Sequence, residues 1–458
     1  MSRVVVRIAG EIGEDGRETV KFSLDQAPAD IPNPGQLYRF QCKADAVLAL
    51  FNQTPPSSDV VRRVGEQLLQ KLILHPAVGR AIDAALDDGS GVLCPIYLRL
   101  SSEEAAAFPW ETLFDQRKEF LALDGRWPIA RITDMLPTEQ DVRYFSPPLR
   151  LLAALSATGI DARPQWEHLR NAVLNAALDV RLRVIVGQPG LCNDIKHEIR
   201  LLGDQRLSAV PLASKSEFLD QVSDFDPHIL HVFSHGRGDY GPRLELATPQ
   251  DHSRKRSSVL VEPGELRGLT QNTWLVVLNC CRGGADTPGI RSLAYMVVGA
   301  GYPAVVGMRE PITDSDGHLV TRSYYPGLLD RLAKLLLPGV IAEIDWAADL
   351  HRPRQELRDK YLNGHPGETA DPLPGPAQLA ARYRDWSVPV LYVRPEPLRV
   401  ECIQVHPRLP PERMSYLAST LNEMSRARLA LHAATPAAAL REIDGRIEEI
   451  KRELRDGH

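Results

Sequence analysis

The chain has 458 residues, of which 43% are hydrophobic and 25% charged, a composition typical of a globular protein rather than a disordered or fibrous one. Lys and Arg number 54 against 59 Asp and Glu, and the resulting net charge of −5 argues against nucleic acid or an anionic membrane as the main partner. No apolar run approaches the roughly 18 residues of a membrane span, and the first residues lack a signal-peptide core, so we expect a cytoplasmic protein.

The chain begins with a region, residues 1–145, that we expect to form an N-terminal α/β segment. Val4–Ile8 and Pro95–Leu100 are predicted strands, and Asp59–Ile73 is a predicted helix. Pro109-Trp110-Glu111 is typical of a helix start. Proline at the first helical position costs no hydrogen bond, because the N–H there has no partner within the helix. An acidic side chain in the first turn is stabilised by the positive end of the helix dipole.

Residues 146–400 alternate strand and helix patterns and are predicted to form one catalytic domain. Near-continuous apolar runs indicate strands buried on both faces of a mostly parallel sheet, with helices covering it. The predicted strands are Leu149–Ala157, Val180–Val186, Ile229–Phe233, Trp274–Asn279, Ala304–Met308 and Val388–Val393. The predicted helices are Trp166–Ala177, Asn193–Leu202, Ser214–Val222, Arg291–Gly299 and His318–Leu337. The Pro- and Gly-rich stretch Asn363–Pro376 indicates a long surface loop.

The last region, residues 401–458, is predicted to be a linker followed by a helical hairpin. Each helical pattern carries one apolar stripe: the first has heptad spacing interrupted by Arg428, and the second has steps of three and four residues. The stripes are Met414, Leu417, Leu421, Met424 and Leu431, then Leu440, Ile443, Ile447, Ile450 and Leu454. Two short helices rarely bury such stripes alone, so the hairpin needs a surface. That surface belongs to its own domain, to a partner or to a second copy of the chain.

The candidate catalytic side chains follow two predicted strands. One ends in His235-Gly236, and a later one ends in Cys281-Arg282-Gly283. Sites in open α/β sheets lie at the carboxyl ends of the strands. A thiol and an imidazole brought together there form a Cys/His hydrolase arrangement. The nearby His228 and His231 are expected to be structural, and the alternative for His231 is a supporting hydrogen bond to the site.

These segments resemble two related families. Asn279–Gly283 resembles the Q-A-C-R-G box of caspases, with the expected His some 50 residues upstream. More closely, His231–Gly236 and Leu275–Gly284 align without gaps to the H-F-x-G-H-G and L-V-V-L-S-A-C-E-T-G segments of CHAT-domain proteins, which are related to separase. Further matches occur at Pro109–Glu111, Gly299–Gly307 and Trp386–Tyr392. The resemblance covers about residues 1–395, and the predicted hairpin lies outside it.

The resemblance implies a caspase-like α/β/α sandwich and a cysteine endopeptidase. Cys281 would be the nucleophile, and His235 the general base and then the general acid. The backbone N–H groups of Gly236 and Cys281 would form the oxyanion hole. Cys280 stands where the family has alanine, and strand alternation predicts that it points away from the site. We expect no metal or nucleotide cofactor, because no phosphate-binding glycine loop follows a strand.

A specificity element is predicted after the next strand. Arg309–Asp316 resembles the separase stretch W-D-V-T-D-x-D, with one residue inserted and Arg309 in place of the Trp. By this resemblance Asp314 or Asp316 binds the Arg or Lys side chain of the substrate residue that precedes the scissile bond. Asp314 is the better match to the separase stretch. The same residues are also compatible with a plain turn and helix cap.

A basic run, Asp251–Ser257, separates the two strand ends. It indicates a solvated loop, or else a loop for partner binding or self-processing.

The function implied by the resemblance is cleavage of a protein substrate, triggered by a separate sensor or activator in a bacterial conflict or cell-death system. One alternative is a non-catalytic CHAT-fold scaffold in which the hairpin is the working part, through a partner or self-association. Another is a peptidoglycan amidase, which the missing export signal disfavours.

Overall fold

The computed structural model describes residues 3–12, 18–28, 31, 38–40, 58–87, 91–133, 142–237, 242–267, 269, 272–280, 292–363, 383–403, 411–431 and 437–456. The strands are β1 (Val4–Ile12), β2 (Glu18–Gln26), β3 (Tyr38–Phe40), β4 (Ile96–Leu100), β5 (Phe114–Asp115), β6 (Glu119–Phe120), β7 (Ile129–Thr133), β8 (Val142–Phe145), β9 (Leu149–Ser156), β10 (Val180–Val186), β11 (Leu207–Pro211), β12 (Ile229–Arg237), β13 (Arg243–Leu246), β14 (Val259–Val261), β15 (Leu275–Cys280), β16 (Ala304–Met308), β17 (Ile341–Ile344), β18 (Pro389–Val393) and β19 (Leu398–Cys402).

The α-helices are α1 (Ser58–Ile73), α2 (Pro76–Asp87), α3 (Glu103–Ala107), α4 (Arg163–Asn175), α5 (Leu191–Leu202), α6 (Lys215–Phe225), α7 (Pro249–Ser253), α8 (Pro263–Leu266), α9 (Leu293–Gly299), α10 (Asp314–Leu335), α11 (His351–Asn363), α12 (Pro411–Ala430) and α13 (Ala437–Asp456). Short 3-10 turns cover Trp110–Thr112, Leu121–Leu123, Trp346–Asp349 and Tyr383–Ser387. Within these described ranges, the helices are all too short or too polar to cross a membrane.

A single, mostly parallel sheet organises the chain, which confirms the predicted α/β class. Its strand order is β11-β10-β9-β12-β15-β16-β18-β7-β4-β1-β2-β3, and β13 and β14 branch from β12. All six strands predicted within residues 146–400 lie side by side in it. Strands β7, β4 and β1 from residues 1–145 extend the same sheet, because β7 pairs with β18 in parallel. The sheet therefore runs without interruption across the predicted boundary at residue 145.

The sheet is buried on both faces, as its near-continuous apolar strands predict. On one face Phe233 and Val277 pack with Trp166 of α4 and Tyr325 of α10. Alternate residues of the same strands pack on the opposite face with α6 and α9. The result is a three-layer α/β/α arrangement, and β12 and β15 lie next to each other at its centre.

The predicted helical hairpin is confirmed, and it lies on its own chain. Helices α12 and α13 pack with Ile403 around a small core. Asn422 of α12 accepts a hydrogen bond from the Tyr144 backbone N–H (2.8 Å) and donates to the Tyr144 carbonyl (3.1 Å) and to Asn272 (2.7 Å). Tyr144 belongs to β8, the edge of a three-stranded sheet with β19 and β17. The apolar stripes are thus covered, at least in part, within one molecule.

Candidate active site

His235 lies where β12 leaves the parallel sheet and begins to pair with β13, opposite Glu245. Its half-buried ring places Nε2 2.8 Å from the backbone carbonyl oxygen of Thr158. A carbonyl can only accept a hydrogen bond, so the contact assigns the proton of the neutral ring to Nε2. Nδ1 then carries the free lone pair and is the nitrogen able to act as a base. Gly236, the predicted oxyanion-hole residue, follows in the strand opposite Leu244.

Thr158 is a site residue that the sequence did not indicate. It lies in the loop after β9, the strand on one side of β12, while β15 lies on the other side. Its contribution is a main-chain carbonyl, which every residue type possesses. No residue pattern could have distinguished it.

The predicted nucleophile, Cys281, lies outside the described residues, as do Arg282 and Gly283. The described part of β15 ends at Cys280, which pairs with Ser234 in parallel register. Asn279 directly precedes Cys280, and its side chain points to the α10 face of the sheet. There its amide donates to the Gly317 carbonyl (2.7 Å) and to the Thr321 hydroxyl (3.0 Å).

These bonds tie the end of β15 to the first turns of α10. The contact is close, since a Cβ added at Gly317 would lie 3.0 Å from the Asn279 amide oxygen. That separation is tighter than most real Cβ contacts, so glycine suits the position. The segment that carries the predicted specificity acids is therefore held beside the strand that leads to Cys281.

The two predicted specificity acids differ in their surroundings. Thr313 caps α10 in a capping box with Asp316, and Asp314 is exposed in the first turn. The Asp316 carboxylate is fully buried, and its two oxygens contact Lys360 Nζ and the Tyr361 hydroxyl, both at 2.6 Å. Asp316 therefore braces the helix start against α11, whereas Asp314 faces solvent.

Two other histidines, one in β12 and one directly before it, are structural in their contacts. His231 is fully buried with Nδ1 2.9 Å from the Tyr325 hydroxyl, and burial lowers its pKa to about 3. His228 accepts a hydrogen bond from the Arg150 backbone N–H at 2.9 Å. Its pKa is lowered well below the usual range, first by burial and then by the Arg150 charge. Burial therefore favours the neutral form of both rings.

The Pro109–Glu111 segment supplies a buried anchor. Glu111 and Arg131 are both fully buried and form a two-pronged ion pair at 2.9 and 2.8 Å. Nearby, Arg309 pairs with Glu310 at 3.1 Å and reaches the Ala107 carbonyl at 3.4 Å. The residue in place of the separase Trp thus joins the end of β16 to the 103–112 region.

Comparison with known proteins matches the chain to one family model and to 16 chains of solved structures. A family model described as "CHAT domain" matches residues 62–337. One solved structure is the Saccharomyces cerevisiae separase–securin complex at 2.6 Å, with 11% identity over 81% of this chain and a TM-score of 0.30. A second structure of that complex, at 3.0 Å, gives 12% identity over 82% of this chain and a TM-score of 0.31. This chain covers 21% of either matched chain, about a fifth of its length. No curated protein matches.

Proposed function

Because the chain belongs to the CHAT-domain family, we propose that it is a caspase-like cysteine endopeptidase whose catalytic dyad is Cys281 and His235. The observation that carries this proposal is the register of the two central strands. Ser234 pairs with Cys280 in parallel, so the same register continued by one residue would set position 281 beside His235. Neighbouring strands are about 4.8 Å apart, which brings the two side chains within reach of each other.

The alternation of side chains supports Cys281 over Cys280. Successive residues of a strand point to opposite faces. Val277 and Asn279 point to the face shared with Phe233, so strand alternation predicts the same face for position 281. His235 continues the same series from Phe233. We therefore propose that Cys281 faces His235 and that Cys280 belongs to the opposite face.

The hydrogen bond to Thr158 defines the part that His235 plays in the proposed reaction. Nδ1 takes the thiol proton as the Cys281 sulfur attacks the scissile carbonyl, and the ring then returns a proton to the leaving amine. Nε2–H stays bonded to the Thr158 carbonyl throughout, and that dipole stabilises the imidazolium. A water then hydrolyses the acyl-enzyme with His235 again as base. The N–H groups of Gly236 and Cys281 would stabilise the oxyanion, roughly 10²–10³ in rate per donor.

We assign the first specificity pocket to Asp314, with Asp316 as its structural support. Asp314 is exposed on a helix start that Asn279 ties to the strand before the nucleophile. A carboxylate there suits an Arg or Lys guest through charge-assisted hydrogen bonds. The contacts of Asp316 with Lys360 and Tyr361 favour the helix-cap alternative for that residue.

The substrate class and control belong to the same proposal. We propose that a cytoplasmic protein is the substrate, and that a separate sensor or activator triggers cleavage in a bacterial conflict or cell-death system. The alternative, a non-catalytic scaffold that uses the hairpin, is weakened because Asn422 engages β8 of its own chain. Self-association through the hairpin would require either that the hairpin leaves β8 or that its solvent-facing side forms the contact.

Profiling a peptide library separates these proposals. Cleavage after Arg or Lys, lost in Cys281→Ala and retained in Cys280→Ala, is the expected result. A chain that cleaves no peptide and whose Cys281 does not react with thiol-directed electrophiles would favour the scaffold instead.

A further inference from the structure

The carbonyl that holds His235 belongs to a residue whose side chain contacts a distant turn. Thr158 lies in a loop, and the next residue, Gly159, has a left-handed φ of +77° with open space around it. The Thr158 hydroxyl donates to the Arg256 carbonyl at 3.1 Å and lies 3.3 Å from the Ser257 hydroxyl. Residue 158 is therefore pinned, through its side chain, to a turn more than 90 residues away in the chain.

That turn is organised around one carboxylate. Asp251 of α7 is buried, and it accepts hydrogen bonds from the Thr248 backbone N–H (3.0 Å) and hydroxyl (2.9 Å). It also accepts from Arg256 Nε (3.2 Å) and from the Ser258 hydroxyl. Burial alone would raise the pKa of Asp251, but these hydrogen bonds lower it to about 2. The group is therefore an anion near neutral pH.

The turn also stores an unfavourable backbone conformation. Lys255 has a φ of +49°, in the left-handed region that non-glycine residues rarely adopt. Such a conformation persists only where surrounding contacts impose it. The Arg256 backbone N–H donates to the Asp251 carbonyl at 3.2 Å, which closes the turn from the main-chain side as well. Loss of the Asp251 carboxylate should therefore let the turn relax.

We propose that Thr158 and Asp251 are positioning residues for His235, acting as one relay from the Asp251-centred turn through the Thr158 hydroxyl to the Thr158 carbonyl. This inference rests on the proposed function for its catalytic consequence. The relay holds the proton of the neutral ring on Nε2 and keeps Nδ1 free. When the turn loosens, the carbonyl moves, the Nδ1–H form gains population, and the ring is less often able to act as a base.

Two other ionisable groups face His235 and belong in the design of any test. Glu245 lies opposite it on β13, and His252 of α7 lies close enough for the two imidazoles to interact electrostatically. Neither replaces the Thr158 carbonyl in the hydrogen bond of Nε2. Since His252 directly follows Asp251, its own signals report on disturbance of the turn.

The test is histidine-selective 15N NMR of the full chain, which reads the tautomer without any substrate. The signals of His235 are identified by their loss in His235→Gln. The wild type should show the Nε2–H form. Thr158→Val and Asp251→Asn should show a mixture that includes Nδ1–H, and Thr158→Ser, which retains a hydroxyl, should restore the wild-type spectrum. Thr420→Val is the matched control, because that hydroxyl donates to the Tyr416 carbonyl of its own helix at 2.8 Å.

Cleavage kinetics supply the second readout. We expect Thr158→Val to lower kcat about tenfold with KM nearly unchanged, because misplacing a catalytic group by about 1 Å can lower the rate by up to 10²-fold. Thr158→Ser should recover most of the lost kcat. An unchanged tautomer and unchanged kcat in both Thr158→Val and Asp251→Asn would overturn the relay. A shifted tautomer in a protein that cleaves nothing, wild type included, would support the relay and contradict the proposed function.

Discussion

Replacing Glu111 by Gln should destabilise the protein by about 3–5 kcal/mol, because it leaves Arg131 as a buried charge without its counter-ion. Both side chains are fully buried, and the Ala106 and Phe108 carbonyls that also accept hydrogen bonds from Arg131 carry no net charge to replace the lost carboxylate. Burial also lowers the pKa of the neighbouring Arg354 to about 10, and attraction to Glu111 opposes that shift. The variant therefore leaves more than one buried guanidinium poorly compensated.

The measurement is urea unfolding of the full chain, with the midpoint converted to free energy through the slope of the transition. Asp330→Asn is the matched control. It breaks an exposed ion pair with Lys334 and should cost less than about 1 kcal/mol. The double variant Glu111→Leu, Arg131→Met should recover much of the loss, since apolar residues of similar volume often replace buried pairs well. If Glu111→Gln lowers the free energy of unfolding no more than Asp330→Asn does, the Glu111–Arg131 pair does not anchor the fold.

The same pair predicts how stability depends on pH. Burial alone would raise the pKa of Glu111, but attraction to Arg131 and hydrogen bonding to it lower the pKa below 4.5. A carboxylate with a lowered folded-state pKa stabilises the protein above its unfolded pKa, and that contribution is lost as the pH falls through the folded-state value. The difference in stability between wild type and Glu111→Gln should therefore be constant near neutrality and shrink only below about pH 4.5.

Two further predictions concern the hairpin and the pocket. Deleting residues 408–458 should leave the main unfolding transition in place, whereas an insoluble truncated protein would mean that the hairpin completes the core. Asn422→Ala removes three hydrogen bonds worth about 1 kcal/mol each and should expose the hairpin to proteases. Glu423→Ala, at an exposed position, should leave the hairpin protected. Asp314→Ala should weaken the preference for Arg or Lys before the scissile bond, whereas Asp316→Ala should mainly lower stability; a library profile that neither change alters would exclude the pocket assignment.

Strands were predictable where the residues of the strand itself determine its burial and its ends. Val180–Val186 and Ala304–Met308 have the predicted ends, because a buried strand needs a continuous apolar run and turn residues bound it. Helix α11 was missed because His351–Asn363 is polar on most of its surface. It is held by tertiary contacts, such as the bonds from Arg354 to the Pro389 carbonyl. Such contacts leave no periodic signal in the sequence.

The sequence motifs indicated side chains of the candidate site and gave no sign of its main-chain contacts. His235 lies where β12 begins to pair with β13, and Asn279 is the next-to-last residue of β15. The helix-cap alternative for the stretch around Asp314 and Asp316 agrees with the capping box that Thr313 and Asp316 form, and α10 begins about one turn before the predicted start at His318. The Thr158 carbonyl and the turn behind it depend on contacts between segments far apart in the chain. Only the folded structure brings them together.

Labelling with a peptide electrophile that carries Arg before its reactive group tests the dyad most directly, because it measures nucleophilicity without a known substrate. The sites and rates of modification are read by peptide mass spectrometry in the wild type, Cys280→Ala, Cys281→Ala and His235→Ala. The account predicts one adduct on Cys281 in the wild type and in Cys280→Ala, none in Cys281→Ala, and labelling slowed by roughly 10²-fold or more in His235→Ala. Labelling that survives Cys281→Ala but not Cys280→Ala, or that proceeds equally fast without His235, would contradict it.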